Sequence, residues 1–478
     1  MPPQNLLVIM SDEHLARAMG CAGHQFVRTP NLDALAARGT RFARAYTPSP
    51  ICVPARASFA TGRYVHQTRM WDNALPYDGS IPGWGHALQA AGIPVESIGK
   101  LHYRSEEDPA GFDVEHMPMM IGGGTGMVWL SIRREADRVI SKARLLGENI
   151  GPGDSDNTNY DRAVTTRARQ WFADRARTPG DAPWCLFVGL VAAHFPLIVP
   201  RAFFDLYPPG SLPEPKLHPR TGYVRHPWVE KQNAVLDSES LFRSQDERLA
   251  AFSAYYGLCS WLDFNVGQIL AGLKESGFAD DTTVIYTSDH GDNAGNRGLW
   301  NKCNMYEESA AIPLIVAGAG YPVRVSQTPA SLIDVSATIA DHFGLALDTP
   351  APATPLRALA NAPDDPERVV FSEYHAASAV SAAFMVRSGR WKYIHYVGFE
   401  PELFDLDTDP EETTDLSGNP DFADVRFRME QALRRICDPE AVNAQAFADQ
   451  DALIARYGGI AGAATTGAAD AEPIPDYR

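Results

Sequence analysis

Four short strand-like segments, spread over the first two-thirds of the chain, each deliver a polar or charged residue just past their carboxyl end. Residues 6–10 run into Ser11 and Asp12, and 95–98 into Gly99 and Lys100. Residues 186–191 run into Ala193 and His194, and the β-branched run 282–287 into Asp289 and His290. The first, residues 6–10, is a continuous apolar run, the mark of a strand covered on both faces. Helix-patterned segments alternate with them. One is predicted over 30–38, with Thr29 as N-cap, Pro30 at the first position and Gly39 beyond the end. The alternation predicts an α/β fold with a large, mostly parallel sheet flanked by helices. Ligands of open α/β sheets bind outside the carboxyl ends of the strands, so Asp12, Lys100, His194, Asp289 and His290 are the first candidate site residues.

The rest of the chain is organised around that frame. Residues 105–180 look irregular, with a glycine-rich run at 122–126 and a polar run at 151–160, and read as an insertion that covers the site or makes subunit contacts. A proline-rich surface excursion is expected at 208–227 and a linker at 361–366. Short strands at 369–373, 383–387, 391–397 and 402–405, followed by a helix at 424–436, predict a smaller C-terminal antiparallel sheet with a helix packed on it. The expected division is a catalytic α/β domain over 1–365, a smaller α+β subdomain over 366–457 and a tail over 458–478. The tail is rich in Ala and Gly, and is either loose or docked on a neighbour.

The net charge of −17 argues against nucleic acid and anionic membranes as partners, but not against an anionic substrate in a cleft lined by Lys, Arg and metal. No apolar stretch is long enough to span a bilayer. The first ten residues lack a basic segment and read as a strand, not an export signal. The six cysteines (Cys21, Cys52, Cys185, Cys259, Cys303 and Cys437) show no paired short spacing, so reduced thiols and a cytoplasmic location are expected.

The sharpest local signal is Cys52-Val53-Pro54-Ala55-Arg56, followed by Ala57-Ser58 and Thr61-Gly62-Arg63. A helix is expected to begin near Pro54, placing Cys52 at its N-terminus, where N–H groups and the dipole favour anions. A cysteine in such a place is more often a small buried hydrophobe, and next a thiol nucleophile. The motif, however, resembles that of type I sulfatases. Gly99-Lys100-Leu101-His102 resembles the Gly-Lys-x-His segment of that family. Ser288-Asp289-His290-Gly291-Asp292, with Gly298 to Lys302, resembles its second metal and lysine segment. Glu402-Leu403-Phe404-Asp405-Leu406 and Asp409-Pro410-Glu411-Glu412 resemble its C-terminal part. Matching segments extend from residue 5 to about 416, and the spacing around Cys52 and Lys100 is most similar to that of choline sulfatases and near relatives. The resemblance implies an alkaline phosphatase-like fold and a sulfuric ester hydrolase.

It also implies roles. Cys52 would be oxidised by a formylglycine-generating maturation enzyme, giving an aldehyde whose hydrate is the nucleophile. Asp12, Cys52, Asp289 and His290 would hold one divalent metal; the hard oxygens suit Ca²⁺, and the imidazole makes Mn²⁺ credible. Arg56 would hold the deprotonated diol oxygen. Lys100 and Lys302 would neutralise the sulfuryl oxygens. His102 would help collapse the sulfated intermediate, and His194 would protonate the leaving oxygen. Asn73 would lie near the substrate with Lys100, His194 and Lys302. The substrate would be a small anionic ester and the protein a homo-oligomer. Asp12-Glu13 departs from the paired aspartates of many sulfatases, and the extra methylene puts Glu13 in doubt as a ligand. Trp71, Tyr103 and Trp129 are candidates for an ammonium cage. The rival readings are a phosphonate monoester or phosphodiester hydrolase using the same site, and a non-catalytic binding relative, which the completeness of the constellation disfavours.

Overall fold

The structure is a computed structural model that describes residues 4–178, 180, 182–467 and 474–475. Its centre is an eight-stranded sheet. In chain order the strands are β1 (Asn5–Asp12), β2 (Thr40–Phe42), β3 (Val95–Lys100), β4 (Val114–Met119), β5 (Cys185–Ala193), β6 (Thr282–Ser288), β7 (Leu314–Ala317) and β8 (Arg324–Ser326). Their spatial order is β8-β2-β7-β6-β1-β5-β3-β4. All neighbours run parallel except β7, which is antiparallel to both β6 and β2, so the sheet is mixed and mostly parallel as expected. The four runs singled out in the sequence are the contiguous strands β6, β1, β5 and β3, and their carboxyl ends lie side by side.

Helices cover the sheet. They include α1 (Pro30–Ala36), α2 (Cys52–Thr61), α3 (Asp156–Arg177) and α4 (Gln245–Glu275). Helix α1 starts at Pro30 as predicted, but the Thr29 side chain makes no capping bond to it, and the last helical residue is Ala36. The expectation of an irregular insertion over 105–180 is corrected twice: β4 (Val114–Met119) is an edge strand of the main sheet, and at the end α3 is a 22-residue helix. Its residues are mostly polar, but Thr158, Tyr160, Asp161, Val164, Thr165, Ala168, Trp171 and Phe172 form one buried stripe at helical spacing. Ser155 starts it by accepting the Thr158 N–H.

A four-stranded antiparallel sheet follows: β9 (Val370–Tyr374), β10 (Ala383–Ser388), β11 (Trp391–Tyr396) and β12 (Glu402–Asp405). Helices α5 (Ala423–Arg434) and α6 (Pro439–Arg456) come after it. This sheet packs against segments that flank the large one: Tyr46, Ile51 and Tyr306 cluster with Val370, Tyr374, Met385 and Phe404. The expected tail spans 458–478. Its described part docks on the chain's own body, with the Val128 N–H bonded to the Thr466 carbonyl and Ala463 buried beside Val128 and Leu453. Residues 468–473 and 476–478 lie outside the described residues. No helix among the described residues is long and apolar enough to cross a membrane.

Candidate active site

Helix α2 begins at Cys52, two residues earlier than expected, with Ile51 extended before it. Pro54 is then its third residue, where a missing N–H costs nothing. Every residue of α2 is buried, and its one charged side chain, Arg56, is paired. Gly62 ends it in the left-handed conformation, its N–H bonded to the Ser58 carbonyl. Asn73 Oδ1 accepts the Val53 N–H at 3.2 Å, satisfying an orphan donor of the first turn. Asn73 is thus tied to the residue next to Cys52.

Around Cys52 stand Asp12 from the end of β1, and Asp289 and His290 just past β6. One donor atom from each of the four lies within 4.8 Å of the others, and all four residues are buried. His290 donates its Nδ1–H to the Gly291 carbonyl at 3.0 Å, which leaves the Nε2 lone pair facing the cluster. That nitrogen lies 3.2 Å from Cys52 Sγ and 3.7 Å from an oxygen of both Asp12 and Asp289. Two carboxylates, an oriented imidazole and a fourth position from residue 52 fit a divalent cation. Burial, reinforced by Asp12, pushes the Cys52 thiol well above its ordinary value.

Two cations bind the carboxylates together. The Arg56 fork donates from Nε to Asp289 at 2.7 Å, from Nη2 to Asp12 at 3.1 Å, and from Nη1 to the Lys100 carbonyl at 3.0 Å. Lys100 Nζ reaches Asp12 at 2.9 Å. Burial alone would raise the Asp12 carboxyl, but Lys100, His194, Arg56 and His290 hold it well below the usual range. His102, just past β3, is buried with φ +62°, its main-chain N–H bonded to the Met119 carbonyl at 2.8 Å.

Glu13 is not among the four. Its own φ is +62°, and its Oε2 accepts from Lys302 Nζ at 2.8 Å and lies 3.3 Å from His194 Nε2. Lys302 Nζ is also 2.9 Å from His194 Nε2. The other imidazole nitrogen donates to the Phe195 carbonyl at 2.8 Å, so Nε2 is the atom at which His194 accepts or releases a proton. Burial opposes charge on Lys302, yet Cys52, Glu13 and Asp12 raise it well above its ordinary value, which keeps it an ammonium.

The sequence reading passed over Asp292, a buried carboxyl beside Glu13 pushed up to about 6 by burial. The Asp-His-Gly-Asp run was its only signal. Two of the three cage candidates are corrected. Trp71 is buried, donates to Asp449 at 2.7 Å and packs edge-on against His375, while Tyr103 is buried edge-on against Tyr77. Trp129 alone is half-buried.

The family model described as "Sulfatase" matches residues 4–345, and the one described as "N-sulphoglucosamine sulphohydrolase, C-terminal" matches 295–438. The chain is 35% identical to a choline-sulfatase of Rhizobium meliloti (strain 1021) over 434 residues, which cover 87% of this chain and 83% of that protein. It is 28% identical to arylsulfatase K of Rattus norvegicus, covering 92% and 79%. Its fold is similar to that of a phosphonate monoester hydrolase of Agrobacterium radiobacter, with a TM-score of 0.73 at 23% identity, covering 93% of this chain and 96% of that one.

Proposed function

Because the chain belongs to the sulfatase family, we propose that it hydrolyses sulfate esters with Cys52, oxidised to formylglycine, as the source of its nucleophile. The observation that carries this reading is the placement of Cys52 at the first turn of α2, against Asp12, Asp289 and His290. As a buried thiol its ionisation is strongly disfavoured, and sulfur is a poor partner for a hard cation. The hydrated aldehyde would supply an oxygen nucleophile in its place. A divalent ion held by Asp12, Asp289, His290 and the modified residue 52 would supply Lewis acidity, and Ca²⁺ and Mn²⁺ both suit these donors.

The chain's own groups divide the remaining work. Arg56, fixed by two carboxylates, presents a rigid cation at the nucleophile. Lys100 and Lys302 stabilise charge on the sulfuryl oxygens in a dry site. His194 Nε2, which faces the Lys302 ammonium, would pass a proton to the leaving oxygen, and Glu13 holds Lys302 against it. His102 and Asn73 orient the nucleophile and the ester. A maturation enzyme is the implied partner. The six cysteines are all free thiols, which supports a reducing, cytoplasmic location. Self-association is expected and is measured by sedimentation.

Two measurements test the reading. Peptide mass mapping across Cys52, on protein made with a maturation enzyme, should find the aldehyde; fully active protein carrying only the thiol sinks the mechanism. The specificity constant for a sulfate monoester should exceed that for a phosphonate monoester; the opposite order favours the phosphonate hydrolase instead.

A further inference from the structure

The strand that carries His194 leaves its ladder before it ends. Along β5, Leu6 to Met10 of β1 face Cys185 to Gly189 in step, but the next pair is Asp12 with Ala193. Between the two pairs β1 advances two residues and β5 advances four. On its other side, β5 stops pairing with β3 at Gly189. Residues 190–192 therefore form a bulge whose N–H groups have no place in either ladder, and buried N–H groups must be satisfied.

Asp161 meets two of them. Its Oδ1 accepts the Val191 N–H at 2.7 Å and its Oδ2 the Ala192 N–H at 2.9 Å. The residue is buried and comes from the second turn of α3, the helix that sequence reading did not find. The held peptides bear directly on the acid: the His194 N–H bonds back to the Val191 carbonyl at 3.0 Å. A shift of the bulge moves the His194 main chain, and with it Nε2 relative to Lys302.

We propose that Asp161 is a positioning residue for His194, its carboxylate fixing the 190–192 bulge that aims the imidazole at the leaving oxygen. This rests on His194 being the leaving-group acid. In Asp161→Asn one acceptor oxygen becomes an N–H donor that faces a backbone N–H, so one of the two bonds is lost. Misplacing a reacting group by about an ångström costs on the order of a hundredfold in rate.

The experiment compares kcat/KM for an alkyl sulfate and for nitrophenyl sulfate in Asp161→Asn, His194→Ala and the double variant, each carrying formylglycine at residue 52. An alkoxide needs its proton in the transition state and a nitrophenolate scarcely does. Asp161→Asn should lose tens- to a hundredfold on the alkyl ester and only a few-fold on the nitrophenyl ester. In the His194→Ala background it should lose nothing further, because it acts through His194. Equal losses on both esters, or fully additive losses in the double variant, overturn the proposal. If His194→Ala itself fails to distinguish the esters, the reading of His194 fails, which is a separate result that takes the proposal with it. Asp161→Glu keeps two acceptor oxygens on a longer arm. Should Asp161→Asn not fold, it carries the same comparison, with smaller losses expected on the alkyl ester alone.

Discussion

Arg56→Met is the substitution from which the architecture of the site predicts most. Methionine follows the stem of the arginine but deletes the fork. Asp12 keeps Lys100 at 2.9 Å, so one of its oxygens remains paired. Asp289 fares worse. Its Oδ1 keeps the N–H groups of His290 at 2.9 Å and Glu13 at 3.3 Å, while its Oδ2 loses the 2.7 Å bond to Arg56 Nε. Hydrogen bonds to charged groups contribute roughly 1.5–3 kcal/mol each, so the two carboxylate bonds together are about 3–6 kcal/mol. Breaking a buried ion pair from one side costs about 3–5 kcal/mol, a range that overlaps. In metal-depleted protein the thermal midpoint should therefore fall by several degrees, and Arg56→Lys, which keeps the charge but not the fork, should recover about half. Without the Arg56 charge the two carboxylates attract a divalent ion more strongly, and an ion that binds only the folded chain adds about 2.7 kcal/mol at a hundred times its Kd, so calcium should stabilise the variant more than the parent and narrow the gap in a concentration-dependent way. The assay is thermal unfolding by circular dichroism in EDTA and in a calcium series. A midpoint in EDTA unchanged from the parent would refute the claim that Arg56 stabilises the fold by pairing with Asp289 and tying it to Asp12.

Two further outcomes follow from buried charges elsewhere. Glu402 on β12 is buried, accepts from Tyr306 and Tyr396, and is pushed up to about 7 by burial, which those bonds only partly offset. Its folded carboxyl keeps its proton to a higher pH than the unfolded one, so its stabilisation is complete below about pH 4.5 and is lost as pH rises through about 7, by up to about 3 kcal/mol. Glu402→Gln should flatten that part of the stability–pH curve; curves that stay parallel from pH 5 to 8 disprove it. Lys302→Ala should lower kcat/KM about a hundred- to a thousandfold on alkyl and nitrophenyl sulfates alike, because sulfuryl charge develops with either leaving group. A loss confined to the alkyl ester would instead make Lys302 the proton donor.

The strand ends were legible because β1 and β5 are apolar runs, β6 is rich in β-branched residues, and each stops at polar or charged residues; β3, which carries Glu96 and Ser97 in its middle, shows only that last mark. Direction is not written that way. Residues 314–317 are as apolar as their neighbours, and nothing local marks β7 as the one reversed strand of the main sheet. Helix α3 was hidden for a different reason: its outward face is so polar that the buried stripe is a minority of its residues. The Asp161 carboxylate could not be read as functional, since its partners are main-chain groups thirty residues away. Trp71 and Asp449 are separated by 378 residues, so no local pattern tells a core indole from a ligand-facing one.

Glu13 shows how a local rule and a tertiary partner together decide a role. Neighbouring residues on a strand point to opposite faces, so Asp12 and Glu13 cannot both turn to one ion unless the chain bends between them. It does bend, since Glu13 has φ +62°, but the bend delivers its carboxylate to Lys302 and His194. The dipeptide at the end of β1 thereby joins two halves of one site. Asp12 stands with Cys52, Asp289, His290 and Arg56, the groups proposed to surround the nucleophile. Glu13 stands with Lys302 and His194, the groups proposed to serve the departing oxygen. An aspartate at residue 13 would be one methylene shorter and would have to give up its 2.8 Å contact with Lys302 unless the lysine followed it. The extra length that made Glu13 look like a poor metal ligand is what lets it reach Lys302 and His194.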